Sequence, residues 1–100
     1  MRIEVYWTDR AINDLNKAYL FNTKIRGEAK AWELVNQIRD FVDIELKQEI
    51  HPGVIDRQFA HLGEYFKIFE GDYRITYRLK GNDRYVIRVF DQRSHPDKNL

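Results

Sequence analysis

The sequence predicts an α+β domain in the order β-α-α-β-β-β, with a helical hairpin packed on one face of a small, mainly antiparallel sheet. Three observations predict it. Residues 3–7 alternate with period two and are β-branched or aromatic at most positions. Residues 11–42 carry apolar side chains at helical spacing, interrupted around Gly27. Residues 65–90 form three strand-like runs separated by glycine-containing turns.

The opening strand, Ile3-Glu4-Val5-Tyr6-Trp7, leads into Thr8-Asp9-Arg10. Thr8 is a good N-cap because its hydroxyl can accept from a free amide of the first turn, and Asp9 places negative charge at the positive end of the helix dipole. Ala11, Ile12, Leu15, Ala18 and Tyr19 then follow helical spacing, and Asn22-Thr23 and Gly27 predict an end near Phe21. A second helix is expected from about Glu28 to about Lys47, with a stripe of Ala31, Leu34, Val35, Ile38, Phe41, Val42 and Glu45. So short a connection predicts an antiparallel hairpin. Trp32 and Phe41 read as packing residues, and Trp7 as a core anchor. His51-Pro52-Gly53 breaks the helix, with His51 read as a turn residue. Residues 54–63 read as a connecting loop anchored by Ile55, Phe59 and Leu62, with His61 in the same loop.

The last three runs carry enough pattern to argue register. Gly71-Asp72 suits a two-residue type II′ turn. It pairs Glu70 with Tyr73, Phe69 with Arg74, Ile68 with Ile75, Lys67 with Thr76 and Phe66 with Tyr77. A one-residue slip would move every side chain to the other face. For the next turn, a three-residue loop over Gly81, Asn82 and Asp83 keeps the faces consistent. It pairs Leu79 with Tyr85, Tyr77 with Ile87, Thr76 with Arg88, Ile75 with Val89 and Arg74 with Phe90. The apolar face, holding Phe66, Ile68, Ile75, Tyr77, Ile87 and Val89, is expected to meet the helices.

Composition bounds the function. The chain has 100 residues, 17 Lys plus Arg against 16 Asp plus Glu, and a net charge of +1. One domain spanning the chain is expected at this length, and no strong global field drives nucleic-acid binding. The absence of cysteine excludes disulfides, thiolate metal sites and a cysteine nucleophile. Three scattered histidines have no metal-ligand spacing, so no cofactor or metal is expected. No apolar run approaches the ~20 residues of a membrane span, and residues 1–5 do not read as a secretory signal. A cytoplasmic protein with no membrane partner is the expectation.

The face away from the helices is the informative one. In the expected register it shows Lys67, Thr76 and Arg88 in one row, Phe69, Arg74 and Phe90 in the next, and Tyr65, Arg78 and Val86 in a third. Its charged members Lys67, Arg74, Arg78 and Arg88 are all positive, while Asp14, Glu28, Glu33, Asp40, Asp43, Glu45 and Glu49 lie in or beside the helices. Cations interleaved with rings suit RNA or single strands, because phosphates pair with the charges and bases stack on the rings. Like charges this close also cost energy unless an anion or an acidic partner sits among them.

The element order, the opening Val5-Tyr6-Trp7-Thr8 before Ala11 and Leu15, and the segment running from Tyr65 through Gly71-Asp72-Tyr73-Arg74-Ile75-Thr76-Tyr77 to Arg78 resemble the RelE/ParE toxins of bacterial type II toxin–antitoxin modules. The end, Ile87-Arg88-Val89-Phe90-Asp91-Gln92-Arg93, is similar to the last strand of that group. The resemblance covers nearly the whole chain. It implies one of two activities. RelE-like members cut messenger RNA on the ribosome without metal, and ParE-like members inhibit DNA gyrase. Both imply a cognate antitoxin with a flexible C-terminal segment, which would cover the cationic face, displace the tail or lie along the helical hairpin. For RNA cleavage, the resemblance places Lys67, as a base, and Arg74 in the basic cluster, with Arg93 near another family arginine. His95 is the one tail candidate for the acid, because no tyrosine follows Tyr85. Tyr65 and Phe69 would stack on bases, and Arg78 and Arg88 would contact RNA. Ribosome-dependent RNA cleavage is the leading expectation. Gyrase inhibition, or a non-catalytic module whose charge only docks an acidic antitoxin, are the alternatives.

Overall fold

A computed structural model describes residues 2–62 and 64–93, without the side chains of residues 60–62. Strand β1 (Val5–Trp7) leads to helices α1 (Asp9–Arg26) and α2 (Glu28–Leu46). A short strand β2 (Val54–Ile55) and a 3-10 helix (Arg57–Leu62) follow, then β3 (Tyr65–Glu70), β4 (Tyr73–Lys80) and β5 (Asp83–Asp91). The sheet order is β1-β5-β4-β3-β2. Only the β1–β5 pairing is parallel. The expected α+β architecture stands, with β2 as an addition.

Thr8 caps α1 as expected, its hydroxyl accepting from the Ala11 amide (3.3 Å) while donating to the Val86 carbonyl (2.7 Å). The helix does not stop near Phe21 but continues to Arg26. The two supposed breakers bond back onto the helix. Asn22 Nδ2 donates to the Ala18 carbonyl (2.8 Å) and Thr23 Oγ1 to that of Tyr19 (2.8 Å), so neither competes with the helical backbone. Gly27 alone joins the helices. Its φ of 86° and ψ of 165° turn the chain, its amide closes α1 on Thr23 and its carbonyl accepts from Ala31 to open α2.

The hairpin presents Ala11, Leu15 and Ala18 from α1 and Val35, Ile38, Val42 and Leu46 from α2 to Ile68, Ile75, Tyr77, Val86 and Val89 of the sheet. Each of the Val, Leu and Ile side chains among these is worth roughly 1.5–3 kcal/mol when fully buried. Phe41 and Trp7 are half-buried against this core. Trp7 also donates its indole N–H to Asp43 (3.1 Å). Trp32, expected to pack, is 59% exposed, touching Tyr19 edge-on at 5.8 Å.

The β3–β4 register is the expected one at all five argued pairs. Gly71 has φ 57° and, among the described residues, no non-glycine residue has positive φ, as a type II′ turn requires. The next turn differs. Lys80 pairs with Asp83, so the loop is the two residues Gly81-Asn82, and Leu79 meets Arg84 and Tyr77 meets Val86 rather than Tyr85 and Ile87. A bulge at Ile87 then restores the expected pairs Thr76–Arg88, Ile75–Val89 and Arg74–Phe90. The extra residue moves Val86 into the core in place of Ile87. It also buries Arg84 against the end of α2. There it donates to the carbonyls of Leu46 (3.1 Å), Gln48 (3.1 Å) and Glu49 (3.3 Å). The last turn of α2 has no basic residue, and Arg84 supplies the cation its dipole favours.

Residues 54–63 are more than a connecting loop. Val54 and Ile55 pair with Lys67 and Phe66 as an edge strand. Ile55, expected as an anchor, is 61% exposed because an edge strand this short has nothing packed over it. Phe59 does anchor, but on the face of the sheet opposite the helices. The side chains of Leu62 and His61 lie outside the described residues.

Candidate functional site: a self-neutralised cationic face

The sheet face away from the helices is built in rows across the strands. Tyr65, Arg78, Tyr85 and Tyr6 are in register across β3, β4, β5 and β1. Tyr85 takes the place expected for Val86, a consequence of the two-residue turn. Lys67, Thr76 and Arg88 form the second row, and Phe69, Arg74 and Phe90 the third. Lys67 and Arg74 therefore project from the same side of their hairpin.

This face is not open. The 3-10 helix crosses it, and Phe59 sits between Tyr65 (5.6 Å between centroids) and Phe90 (6.3 Å). The segment is fixed by Asp56, which is 1% exposed. The Asp56 amide donates to the Tyr65 carbonyl (2.7 Å). Its carboxylate accepts from the Thr76 hydroxyl (2.6 Å) and the Gln58 amide (3.1 Å). A buried carboxylate needs such partners, because desolvation otherwise drives it neutral.

Arg74, Arg88 and Arg93 are engaged from within the chain. Arg74 donates through Nη2 to Gln58 Oε1, lies 4.0 Å from Asp56 through Nε and stacks over Phe90 at 4.6 Å. Arg88 stacks over the same ring at 4.5 Å. It makes a two-pronged ion pair with Asp14 of α1, through Nε (2.8 Å) and Nη2 (3.2 Å). Asp14 also accepts the Val89 amide (2.8 Å), covering a backbone donor on the part of β5 that β1 does not reach. Arg93 pairs with Asp91 (2.8 Å) and Asp72 (3.6 Å). Burial of Asp91 works against its charge, but the hydrogen bonds from Arg93 outweigh it and hold the carboxyl below its ordinary value, while Arg93 is raised in turn. Among the described residues, Lys67 and Arg78 have no carboxylate partner. Lys67 lies 5.9 Å from the Phe69 ring centroid and Arg78 5.8 Å from that of Tyr65. His95 lies outside the described residues.

Of the candidates, the face thus brings together Lys67, Arg74, Tyr65, Phe69, Arg78 and Arg88. Arg93 sits instead at the β3–β4 turn, over Tyr73 at 6.0 Å. Asp14, Asp56 and Gln58 were not singled out from the sequence. The signal for them is the charge crowding itself, since cations so close demand acids, and those acids come from α1 and from the segment read as a loop. No cluster of three or more His, Asp or Glu side chains among the described residues is placed to hold a metal. No helix among them is long and apolar enough to cross a membrane.

Residues 5–96 match the family described as the ParE toxin of type II toxin–antitoxin systems, parDE. The chain belongs to this family. Its fold is similar to a solved chain described as the chromosomal ParDE toxin–antitoxin system from P. aeruginosa, with a TM-score of 0.73 at 21% identity, covering 90% of this chain and 96% of that one. No curated protein matches it. The chain is thus a toxin of a type II toxin–antitoxin system.

The other side of this ParE-family toxin has the opposite character. Leu20, Phe21 and Ile25 of α1 are exposed, with Ile12 and Trp32 beside a cleft between the helices. Ile44 of α2 is exposed as well, so six large apolar side chains among the described residues of the hairpin face solvent.

Proposed function

We propose that this toxin acts by inhibiting DNA gyrase and is restrained by an antitoxin whose apolar side chains lie along the α1–α2 hairpin. The observation that carries the choice of target is the internal neutralisation of the cationic face. Metal-free RNA cleavage needs cations free to take the charge of a phosphorane and an acid at the leaving oxygen. Here a phosphate would have to displace Asp56 and Gln58 from Arg74, Asp14 from Arg88 and Asp91 from Arg93. At Tyr65, one of the two rings expected to stack on bases, Phe59 is already in place. Membership of the ParE family supports the same choice over ribosome-dependent cleavage. The exposed apolar residues of the hairpin support the antitoxin's place, since they give an amphipathic segment an apolar surface to bury.

The test pairs two assays of the purified protein. Supercoiling of relaxed plasmid by gyrase is expected to stop while a message in cell-free translation stays intact. Truncation of ribosome-bound message with gyrase unaffected would overturn the proposal in favour of RNA cleavage. Inertness in both assays would leave a module that only binds its antitoxin.

A further inference from the structure

The geometry points to the row Tyr65–Arg78–Tyr85–Tyr6 as the surface that grips the toxin's protein target, with Arg78 receiving a carboxylate of that partner between tyrosine rings. This inference rests on the gyrase reading above and places its contact surface.

Four features carry it. First, Arg78 is the exposed arginine of this face that the chain leaves without a carboxylate among the described residues, whereas Arg74, Arg88 and Arg93 are each held by one or more. Second, it lies inside a continuous aromatic row. Tyr65 is its neighbour on β3 and Tyr85 on β5, and Tyr85 stacks on Tyr6 at 5.0 Å with the planes 24° apart. Stacked rings on strands are already ordered, so little side-chain entropy is lost when a partner covers them. Third, tyrosine and arginine are the residues that dominate binding energy at protein interfaces, where a central charge surrounded by rings is shielded from water.

The fourth feature separates a protein from a nucleic acid. Asp83 and Glu4 stand close enough to Tyr6 to push its ionisation up, Asp83 most strongly. Glu4 is engaged by Arg2 at 2.6 Å, and Asp83 lies opposite Lys80. A sugar–phosphate backbone following the row would run onto these carboxylates, whereas a protein surface needs only one acid at Arg78 and neutral or basic groups at the Tyr6 end. The row also lies on the sheet face opposite the helical hairpin, so target and antitoxin would approach from different sides.

The experiment measures gyrase inhibition by the full chain, with Arg78→Glu and Tyr6→Ala as variants and Lys24→Glu on α1 as a control for net charge. Melting temperature and antitoxin affinity are measured on each. Arg78→Glu should raise the concentration needed for inhibition about thirtyfold or more, the effect of removing an interface anchor. Tyr6→Ala should raise it by a smaller factor. Lys24→Glu should leave gyrase inhibition unchanged, and antitoxin affinity should hold for Arg78→Glu and Tyr6→Ala. If the wild type inhibits gyrase and Arg78→Glu inhibits equally well, the inference is overturned and the gyrase reading stands. If the wild type does not inhibit gyrase, both fall together. If the wild type binds plasmid DNA without gyrase and Arg78→Glu abolishes that, the row is a nucleic-acid surface and the proposed protein contact is wrong.

Discussion

Gly27 does the work of an interhelical loop in one residue. Its φ of 86° and ψ of 165° lie where side-chain-bearing residues are strained. A Cβ there would meet nothing within 4 Å, so the cost of Gly27→Ala is backbone strain alone. Chemical denaturation should find the variant about 1–3 kcal/mol less stable, with fold and antitoxin binding kept. Asp14 is the opposite kind of residue, small in number of atoms and large in consequence. It holds Arg88 and the Val89 amide at once, with side-chain exposures of 7% and 15% for the ion pair. Asp14→Ala leaves a buried guanidinium and a backbone donor unpaired, and urea titration should show a loss of about 3–5 kcal/mol. The double variant Asp14→Leu with Arg88→Met removes both charges and should recover much of that loss.

At the scale of elements, the chain leading into β2 is pinned to the sheet through one phenol. The Gly53 amide donates to the Tyr77 oxygen (2.8 Å), and the same hydroxyl is hydrogen-bonded with His51 Nδ1 (2.7 Å), with the imidazole edge-on to Phe66. Burial pushes Tyr77 up to about 12. Burial, and then the Arg84 guanidinium, push His51 below its ordinary value. The signs follow. In the unfolded chain histidine takes its proton below ~6.5 and tyrosine loses its own above ~10. On the acid side the unfolded state binds a proton the native state refuses, so stability falls as pH drops below about 6.5 and through the lower native value. On the alkaline side the unfolded state ionises first, so stability falls as pH rises from about 10 through about 12. Denaturation midpoints followed across this range should fall at both ends. His51→Gln should flatten the acid limb and Tyr77→Phe the alkaline one.

The same elements tell how far the sequence could be read. The β3–β4 hairpin was legible because its turn and its face parity are local and agree. The β4–β5 hairpin was not, because face parity allows two answers: a three-residue loop, or a two-residue loop plus a bulge at Ile87. The end of α1 was hidden because Asn22 and Thr23 disfavour a helix until their side chains find carbonyls one turn back. Asn22 also donates to Tyr73 (3.1 Å), a partner that exists only once the sheet is in place. The cationic residues were placed correctly on their face, but their neutralisation was invisible. Asp56 finds Thr76 and Asp14 finds Arg88 across separations that no local pattern reports.

The whole molecule has two dissimilar sides. One is apolar and helical, and the other is a sheet whose rings and cations are mostly satisfied internally. If the antitoxin lies on the hairpin, Trp32 passes from 59% exposed to covered. Trp emission should shift to shorter wavelength on adding antitoxin, and Trp32→Phe should remove the shift while Trp7, already half-buried, continues to emit unchanged.

Strand order has a temporal side as well. The strand that comes last in the described chain lies between the first and the fourth. During synthesis, at ~5–20 residues per second, β1 and α1 emerge seconds before residues 83–91 do. Until then Val5, Tyr6 and Trp7 have no neighbouring strand, and Asp14 has no guanidinium to hold. The parallel β1–β5 pairing and the Asp14–Arg88 ion pair, which tie the head of the chain to β5, therefore form only once residues 83–91 have cleared the exit tunnel.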